Sequence, residues 1–356
     1  MTGGSPVDVL VVGGGPVGLG CALYAARHGL TVQVLEPRSG PVDKACGEGL
    51  MPGGVAALAD LGVEPDGHAF RGIRYLGPTA SAVADFRAGT GLGVRRTELH
   101  DRLSAQVARA GVEVLPLALD GLDQHADRVE VRTRGHHGTA GATLAARNVL
   151  AADGLHSPTR RLLRLDHPVG GRPRFGQRQH FRVAPWSDHV DVLWGARAEA
   201  YVTPVADDVV GVAVLSDLRA PFSEHLTGFR PLLERLARCE AVSAVAGAGP
   251  LRQRSRRRVA GRVLLVGDAA GYVDALTGEG ISLGLAQARA AVAAVVAGRP
   301  SQYERGWVAA TWRCSLLTGA LRQSTRPRLV RRALVPAAAA APWVFSAAVN
   351  ELGRAA

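Results

Sequence analysis

The chain has 356 residues, of which 47% are hydrophobic and 21% charged, a composition that suits a globular protein of two interleaved domains. No apolar run reaches the roughly 18 residues of a membrane span, and the first residues lack a signal-peptide pattern, so we expect a cytoplasmic protein. The net charge of +11 comes almost wholly from arginine, because Lys44 is the only lysine. This charge favours anionic ligands, but the basic residues are not interleaved with aromatics, which argues against nucleic-acid binding.

The cysteines are widely separated and form no C-x-x-C pair: they are Cys21, Cys46, Cys239 and Cys314. This spacing indicates neither a zinc site nor a disulfide framework. We therefore expect reduced thiols and no bound metal.

The N-terminus reads as a βαβ unit. Residues 7–12 form a continuous apolar run, which is typical of a parallel strand buried on both faces. A helix is predicted at residues 17–28, with Gly29 as its C-terminal stop, and a second strand at 31–35 ends before Glu36.

The glycines between the first strand and the helix fit G-x-G-x-x-G. Gly13 permits a tight turn, Gly15 lets the backbone approach a pyrophosphate, and Gly18 lets the helix lie close to the strand. Glu36 follows Gly18 by 18 residues, about the separation of an acid that receives a ribose hydroxyl. The unit predicts a dinucleotide site, but it does not separate NAD from FAD.

The middle of the chain changes character. Helices are predicted at 55–61 and 99–110 and a strand at 112–117. Alternating polar and apolar residues then predict short strands at 175–183, 190–194 and 209–215. These strands suit an antiparallel sheet in a second, smaller domain.

The C-terminal part returns to the first pattern. A helix is predicted at 226–236, a buried parallel strand at 263–266 and a long helix at 280–297. The rest, 303–352, reads as helical with breaks at Pro327, Pro336 and Pro342. We predict an α/β fold: a Rossmann-like parallel sheet with an inserted antiparallel-sheet domain and a helical C-terminus.

Two further motifs stand downstream of the glycine cluster. The run from Asp153-Gly154 to Arg160 resembles the D-G-x-x-S-x-x-R motif of flavoprotein hydroxylases. The runs Gly267-Asp268-Ala269-Ala270-Gly271 and Leu276-Thr277-Gly278-Glu279-Gly280-Ile281 resemble the second FAD fingerprint of the same superfamily. The chain thus resembles FAD-dependent oxidoreductases of the aromatic hydroxylase (class A flavoprotein monooxygenase) and geranylgeranyl reductase superfamily.

The resemblance implies an FAD site built from all three motifs. Asp268 would accept a hydrogen bond from the ribityl chain, and the helix that begins near Gly280 would direct its N-terminus at the flavin. Arg96, preferred to its neighbour Arg95, would contact FAD. The implied cofactor residues are Gly13, Gly15, Pro16, Val17, Gly18, Glu36, Pro37, Arg38, Cys46, Gly47, Arg96, Asp153, Gly154, Gly267, Asp268, Thr277, Gly278, Glu279, Gly280 and Ile281.

The resemblance also implies a domain division. The FAD-binding domain with the C-terminal helices would take residues 1–75, 95–170 and 250–356. The substrate domain would take residues 76–94 and 171–249.

Candidate catalytic residues come from two segments. Cys46-Gly47-Glu48 resembles the Cys-Gly loop of the reductase branch, which implies that Cys46 lies near the flavin and that Glu48 positions or protonates a substrate. The alternative is that Cys46 fills an apolar hole and Glu48 caps a helix. Arg178 and His180 alternate with Arg182 along a predicted strand and so share one face, which would contact an anionic or phenolic substrate or simply face water.

The leading functional hypothesis is a monooxygenase that uses NAD(P)H and O2 to oxygenate a small organic substrate, such as a secondary metabolite. The rival is an ene-reductase of the geranylgeranyl reductase type. Its usual Tyr-x-Trp-x-Phe-Pro segment is missing here, and the closest match is Tyr201-Val202-Thr203-Pro204. A flavin-dependent halogenase is a third option, but this chain lacks the Trp-x-Trp-x-Ile-Pro segment of the halogenases. The alternative of another class is a non-catalytic flavin-binding assembly protein.

Two basic segments raise the question of partners. The arginines between 252 and 258 would attract an NADPH phosphate or an acidic acyl carrier protein, or form a solvated edge. The basic stretch 326–332, followed by apolar residues 333–348, would either touch a membrane surface or pack as a terminal helix.

Overall fold

The computed structural model describes residues 5–135, 140–276, 278–325 and 327–354. The first strands are β1 (Val7–Val12), β2 (Val32–Leu35), β3 (Gly49–Leu50), β4 (His68–Phe70), β5 (Gly72–Leu76), β6 (Ser81–Asp85), β7 (Gly91–Gly93), β8 (Glu113–Leu115), β9 (Leu117–Gln124), β10 (Val129–Gly135) and β11 (Ala140–Ala151). They continue with β12 (Phe175–Arg182), β13 (His189–Trp194), β14 (Ala198–Ala206), β15 (Val209–Ser216), β16 (Glu240–Ala241), β17 (Ala246–Ala248), β18 (Gln253–Arg254), β19 (Val259–Ala260), β20 (Val263–Leu265) and β21 (Gly271–Tyr272).

The helices flank the strands and fill the C-terminal part. They are α1 (Pro16–Arg27), α2 (Pro52–Asp60), α3 (Arg96–Arg109), α4 (Pro158–Leu162), α5 (Phe222–Leu226), α6 (Arg230–Leu236), α7 (Gly280–Val296), α8 (Tyr303–Ser324), α9 (Arg328–Ala340) and α10 (Pro342–Leu352). Within the described ranges, no helix taken singly has the length and apolar content to cross a membrane.

The first sheet has the order β19-β20-β11-β1-β2-β8, with the β9–β10 hairpin beside β11. Its central strands β20, β11, β1, β2 and β8 pair in parallel. Residues on both faces of β1 are fully buried because α1, α3 and α7 cover one face and the hairpin side covers the other. The carboxyl ends of β1, β2, β11 and β20 therefore meet at one edge, which confirms the predicted Rossmann-like sheet.

The second sheet has the order β16-β12-β15-β14-β13-β5-β6 and is antiparallel except where β13 pairs with β5. Most of its strands are inserted between β11 and β20, which confirms the inserted antiparallel sheet. β5 belongs to this sheet, so the predicted boundary at residue 75 falls inside a strand. The division into domains otherwise stays a prediction.

The C-terminal helices are tied to the second sheet by apolar packing and by buried charges. Val335, Phe345 and Val349 pack in one cluster with Trp194. The carboxylate of Glu199 on β14 pairs with Arg174 and Arg331, and that of Asp274 pairs with Arg174 and Arg322. We call these five charged residues the ionic cluster. It joins α8, α9, the second sheet and the loop before α7.

Two predicted details are wrong. The single helix at 226–236 is two helices, α5 and α6, separated by a turn at Gly228 that lets Phe229 enter the core beside Leu226 and Leu232. Pro336 does not end a helix but lies inside α9. Its neighbour Val335 is buried against Gly77, and this packing keeps the helix continuous across the proline.

Candidate active site

The glycine turn after β1 is fixed by close backbone contacts. Gly13 has a φ of +102°, and a Cβ there would lie 2.6 Å from the carbonyl oxygen of Ala152 at the end of β11. A Cβ on Gly18 would lie 1.8 Å from the carbonyl oxygen of Gly13. Gly15 differs, because the nearest atom to its Cβ position is Nη2 of Arg96 at 3.7 Å, which leaves the backbone open towards the cleft.

Glu36 lies behind this turn at the end of β2. Its carboxylate accepts a hydrogen bond of 2.9 Å from the amide of Gly14 and two bonds of 2.7 Å from the guanidinium of Arg38. Burial opposes ionisation, but these bonds prevail and lower the pKa of Glu36. An ionised acid at this point suits the ribose hydroxyls of a dinucleotide.

The second fingerprint lies at the end of β20. Gly267 donates its amide to Oε1 of Gln287 on α7 at 2.8 Å. Burial raises the pKa of Asp268, against the attraction of Lys44 and Arg96. Burial also lowers the pKa of Lys44, so the one lysine of the chain lies in a partly desolvated position among the cofactor residues.

Arg160, the last residue of the hydroxylase-like motif, joins the two halves of the cofactor site. It is buried, and it donates to the carbonyl oxygens of Leu155 at 2.9 Å and Ala269 at 3.0 Å. Its Nε donates to Asp166 at 2.7 Å. The arginine therefore positions the backbone of both motifs.

One cleft collects most of the predicted cofactor residues. Those that line it are Gly13, Gly15, Pro16, Val17, Arg38, Cys46, Gly47, Arg96, Asp153, Gly154, Gly267, Asp268, Gly278, Gly280 and Ile281. Gly18, Glu36, Pro37 and Glu279 lie outside the lining, and Thr277 lies outside the described residues. Glu279 faces the other side, towards Cys314, and burial raises its pKa to about 7.

The cleft fits FAD on its own chemistry. Buried Nε of Arg96 and Oδ1 of Asp153 have no hydrogen-bond partner, so each is ready to bond a ligand. The open backbone at Gly15 and the N-terminus of α1 suit a pyrophosphate. The Gly278–Gly280 turn opens α7 without bulk, as a planar ring requires.

The predicted catalytic residues meet beside the cleft. Glu48 has a φ of +57°, and its Oε1 accepts the amide of Arg96 at 2.8 Å. Its Oε2 lies 2.6 Å from Nε2 of His180, whose Nδ1 is 3.0 Å from the hydroxyl of Ser243. Arg178 is within 3.1 Å of His180 and pairs with Asp43. We call Glu48, His180 and Arg178 the buried triad.

The triad bears on one alternative and divides a predicted face. Glu48 is buried, and its Oε1 accepts the amide of Arg96, the first residue of α3, so it caps this helix as well as contacting His180. Arg178 and His180 are about 1% exposed, whereas Arg182 is largely exposed and pairs with Asp208 and Glu240. Cys46 lines the cleft, and burial raises the pKa of its thiol.

An apolar cavity adjoins the cleft, and the sequence had not indicated it. The two spaces share Gly47, Gly49, Ala213, Leu215, Ala275 and Gly278. The remaining walls are Met51, Phe70, Ile73, Tyr75, Val190, Val192, Tyr201, Thr203, Leu276, Val349 and Leu352. The Tyr201 hydroxyl donates to the carbonyl oxygen of Leu276 at 3.0 Å, which keeps its polar end out of the cavity.

These lining residues were missed because apolar side chains on strands read as core. Tyr201 and Thr203 are exceptions, because they belong to the Tyr201-Val202-Thr203-Pro204 segment, the closest match to a pocket segment of the reductases. A usable signal was the alternation along β13, where Val190 and Val192 share one face.

Comparison with known proteins supports FAD as the cofactor. A family model described as an FAD binding domain matches residues 6–225. The chain belongs to this FAD-binding family. It is an FAD-binding oxidoreductase of the monooxygenase and reductase superfamily.

Curated relatives match over most of their length. A menaquinone reductase of Mycobacterium tuberculosis is 33% identical over 327 residues, covering 80% of this chain and 75% of the relative. A digeranylgeranylglycerophospholipid reductase of Thermoplasma acidophilum is 28% identical over 298 residues, covering 77% and 74%. The p-nitrophenol 4-monooxygenase PnpA of Pseudomonas putida shares the fold, with a TM-score of 0.80 at 20% identity and 98% coverage of both chains.

Proposed function

We propose that this protein is an FAD-dependent reductase that saturates a carbon–carbon double bond in an apolar, isoprenoid-like substrate. The observation that carries the proposal is the apolar cavity that opens onto the flavin end of the cleft between Gly47 and Gly278. Its walls come from apolar side chains, and the charges of the buried triad lie behind the Gly47–Gly49 backbone. A substrate bound there would find no cation for a carboxylate or phenolate.

The relatives support this reading. The relatives include a menaquinone reductase and a digeranylgeranylglycerophospholipid reductase. We therefore prefer the ene-reductase hypothesis to the monooxygenase hypothesis.

Side chains of the protein would supply the proton that alkene reduction requires. Bound FAD, once reduced, supplies a hydride to one alkene carbon, and the other carbon needs a proton. Glu48 and His180 meet at 2.6 Å directly behind the Gly47–Gly49 loop, which lines both spaces, so a proton held by this pair would have to be relayed past the loop to the substrate. Arg178 holds this pair in place, and Cys46 presents a neutral thiol on the cofactor side. NAD(P)H as the reductant and an acyl carrier protein as a partner remain predictions.

Oxygenation is the second candidate. The motif from Asp153 to Arg160, which resembles that of the hydroxylases, favours it, and so does the hypothesis of a nicotinamide contact that this motif implies. Arg160 itself holds the backbone at Leu155 and Ala269 in place, and this role is compatible with both alkene reduction and oxygenation.

One product analysis separates the candidates. The FAD-loaded protein is reduced anaerobically with NADPH, or with dithionite as a control for the reductant, and mixed with menaquinone or a geranylgeranyl lipid in detergent. Mass spectrometry then shows whether the product has gained two hydrogen atoms. A gain of one oxygen atom in air, without alkene reduction, would replace the proposal by the monooxygenase.

The variant Glu48→Gln tests the proton step. General acid catalysis commonly contributes about 10²–10⁴-fold, so we expect kcat for alkene reduction to fall by at least about a hundredfold. Flavin reduction by dithionite should stay unchanged. The exposed Glu240→Gln is the matched control, and equal turnover of both variants would remove Glu48 from the mechanism.

A further inference from the structure

The C-terminal helices expose an unusual amount of apolar surface. Seven large apolar side chains on α8, α9 and α10 are at least 43% exposed: Val308, Trp312, Leu316, Leu329, Val330, Trp343 and Val344. Val308, Trp312 and Leu316 follow each other at intervals of four residues, so they form one stripe along α8. Leu329 is 79% exposed and Trp343 is 74% exposed. Apolar surface of this extent indicates a binding face.

Two of these residues, Trp343 and Val344, lie at a sharp bend. The axes of α9 and α10 meet at 101°. Around it, Pro336 to Val344 include no charged residue, and Pro342, Trp343 and Val344 are exposed. We call residues 336–344 the elbow. Tryptophan at such a position suits a membrane–water interface, where the indole contacts lipid and its N–H stays near water.

The charges on the helices that form the elbow have one sign as far as Asn350. Between Arg305 and Asn350 the sequence has no Asp or Glu. Arg331 and Arg322 are held in the ionic cluster, but Arg328 and Arg332 are exposed on α9, one helical turn apart. An exposed arginine near an anionic membrane surface is attracted to its negative charge. A second copy of this chain would instead bring like charges against them.

The inner face of the same helix reaches the apolar cavity. Phe345 and Val349 on α10 are buried, and Val349 and Leu352 line the cavity beside the cleft. The elbow and the cavity are therefore two sides of one helical element. A lipid surface at the elbow would lie next to the wall of the pocket.

We propose that the elbow, with Leu329, Arg328 and Arg332, docks this protein on the surface of a lipid bilayer that contains anionic headgroups. Trp343 and Leu329 enter the interface, and the two arginines contact phosphate groups. The protein lies on the bilayer without a helix that crosses it. This docking stands whether the bound substrate is reduced or oxygenated.

Vesicle binding tests the proposal on the full-length, FAD-loaded protein. We expect it to sediment with vesicles of phosphatidylcholine and phosphatidylglycerol and much less with phosphatidylcholine alone. Leu329→Ser with Trp343→Ser should weaken binding by at least about tenfold. Arg328→Gln with Arg332→Gln should abolish the preference for the anionic vesicles.

The matched control is Leu233→Ser with Val245→Ser, which removes two exposed apolar side chains elsewhere. It should bind like the parent protein. FAD content and melting temperature verify that each variant is folded. If a variant does not fold, quenching of the Trp343 fluorescence of the unmodified protein by brominated lipid, measured against Trp343→Phe, gives the answer. Equal binding of all variants, or a dimer that Trp343→Ser dissociates without any vesicle binding, would overturn the proposal.

Discussion

The two ends of the ligand space are built in different ways. At the pyrophosphate end, backbone atoms form the walls, and Gly13 and Gly18 are held by contacts that tolerate no side chain. At the substrate end, side chains from β4, β5, β13, β14, β15 and α10 form the walls. A backbone cradle fixes one cofactor, whereas a wall of side chains changes its shape with any of its members. We therefore expect a mutation at the pyrophosphate end either to abolish FAD binding or to leave it unchanged. Mutations at the substrate end should change substrate binding gradually.

The largest expected effect is at the cradle, where Gly18 and Gly15 should behave differently. Gly18→Ala places a Cβ 1.8 Å from the oxygen of Gly13, so α1 must move away from β1, and we expect loss of both FAD and native stability. Gly15→Ala meets only ordinary contacts, so we expect it to lose FAD but to melt, without FAD, at the same temperature as the FAD-free parent protein. Released flavin, measured by fluorescence, and thermal unfolding report the two effects. Gly170→Ala, with no atom near its Cβ position, is the control.

The ionic cluster should be the most sensitive part of the substrate end. Glu199→Gln leaves Arg174 and Arg331 without their shared buried carboxylate, and breaking such a pair costs about 3–5 kcal/mol. Chemical denaturation gives the free energy of unfolding. Glu234→Gln breaks only the exposed pair with Arg230 and should cost less than about 1 kcal/mol. Similar losses in the two variants would contradict the cluster's role.

A pH effect is expected at the start of α7, on the side that faces away from the cleft. Burial raises the pKa of Glu279 from 4.5 to about 7, so the folded protein binds a proton that the unfolded chain has released. The free energy of unfolding should therefore fall between about pH 4.5 and 7, by up to about 3 kcal/mol, and not change further above this range. Glu279→Gln should remove this slope in denaturation curves across the range. A slope that persists would assign the effect to another group.

The smallest expected effect comes from enlarging one side chain in the wall of the cavity. Ala213→Leu adds bulk where the cavity joins the cleft, and overpacking of this size costs about 1–3 kcal/mol. We expect KM for the apolar substrate to rise about tenfold while FAD occupancy is retained. Steady-state kinetics and the flavin spectrum measure the two quantities. Loss of FAD in this variant would show that the two ends are not separable.

The same contrast explains what the sequence could predict. The motifs at Gly13, Asp153 and Gly267 follow strand ends. Because the backbone there requires particular residue types at fixed spacings, these motifs can be recognised in the sequence without knowledge of distant contacts. The pairing of Glu48 with His180 joins residues 132 positions apart, which no local pattern encodes. Arg178 and Arg182 were expected on one face, but the loop that carries Asp43 covers only Arg178. Burial on that strand was therefore decided by a remote segment.

The ionic cluster also limits how short a working version of this protein can be. Glu199 and Asp274 lie in the core of the substrate end, and two of their three counter-charges are on α8 and α9. A chain cut between Arg322 and Arg331 would leave Glu199 with a single partner, and the strand that carries Tyr201 would lose its support. The inward faces of the C-terminal helices thus belong to the interior of the protein.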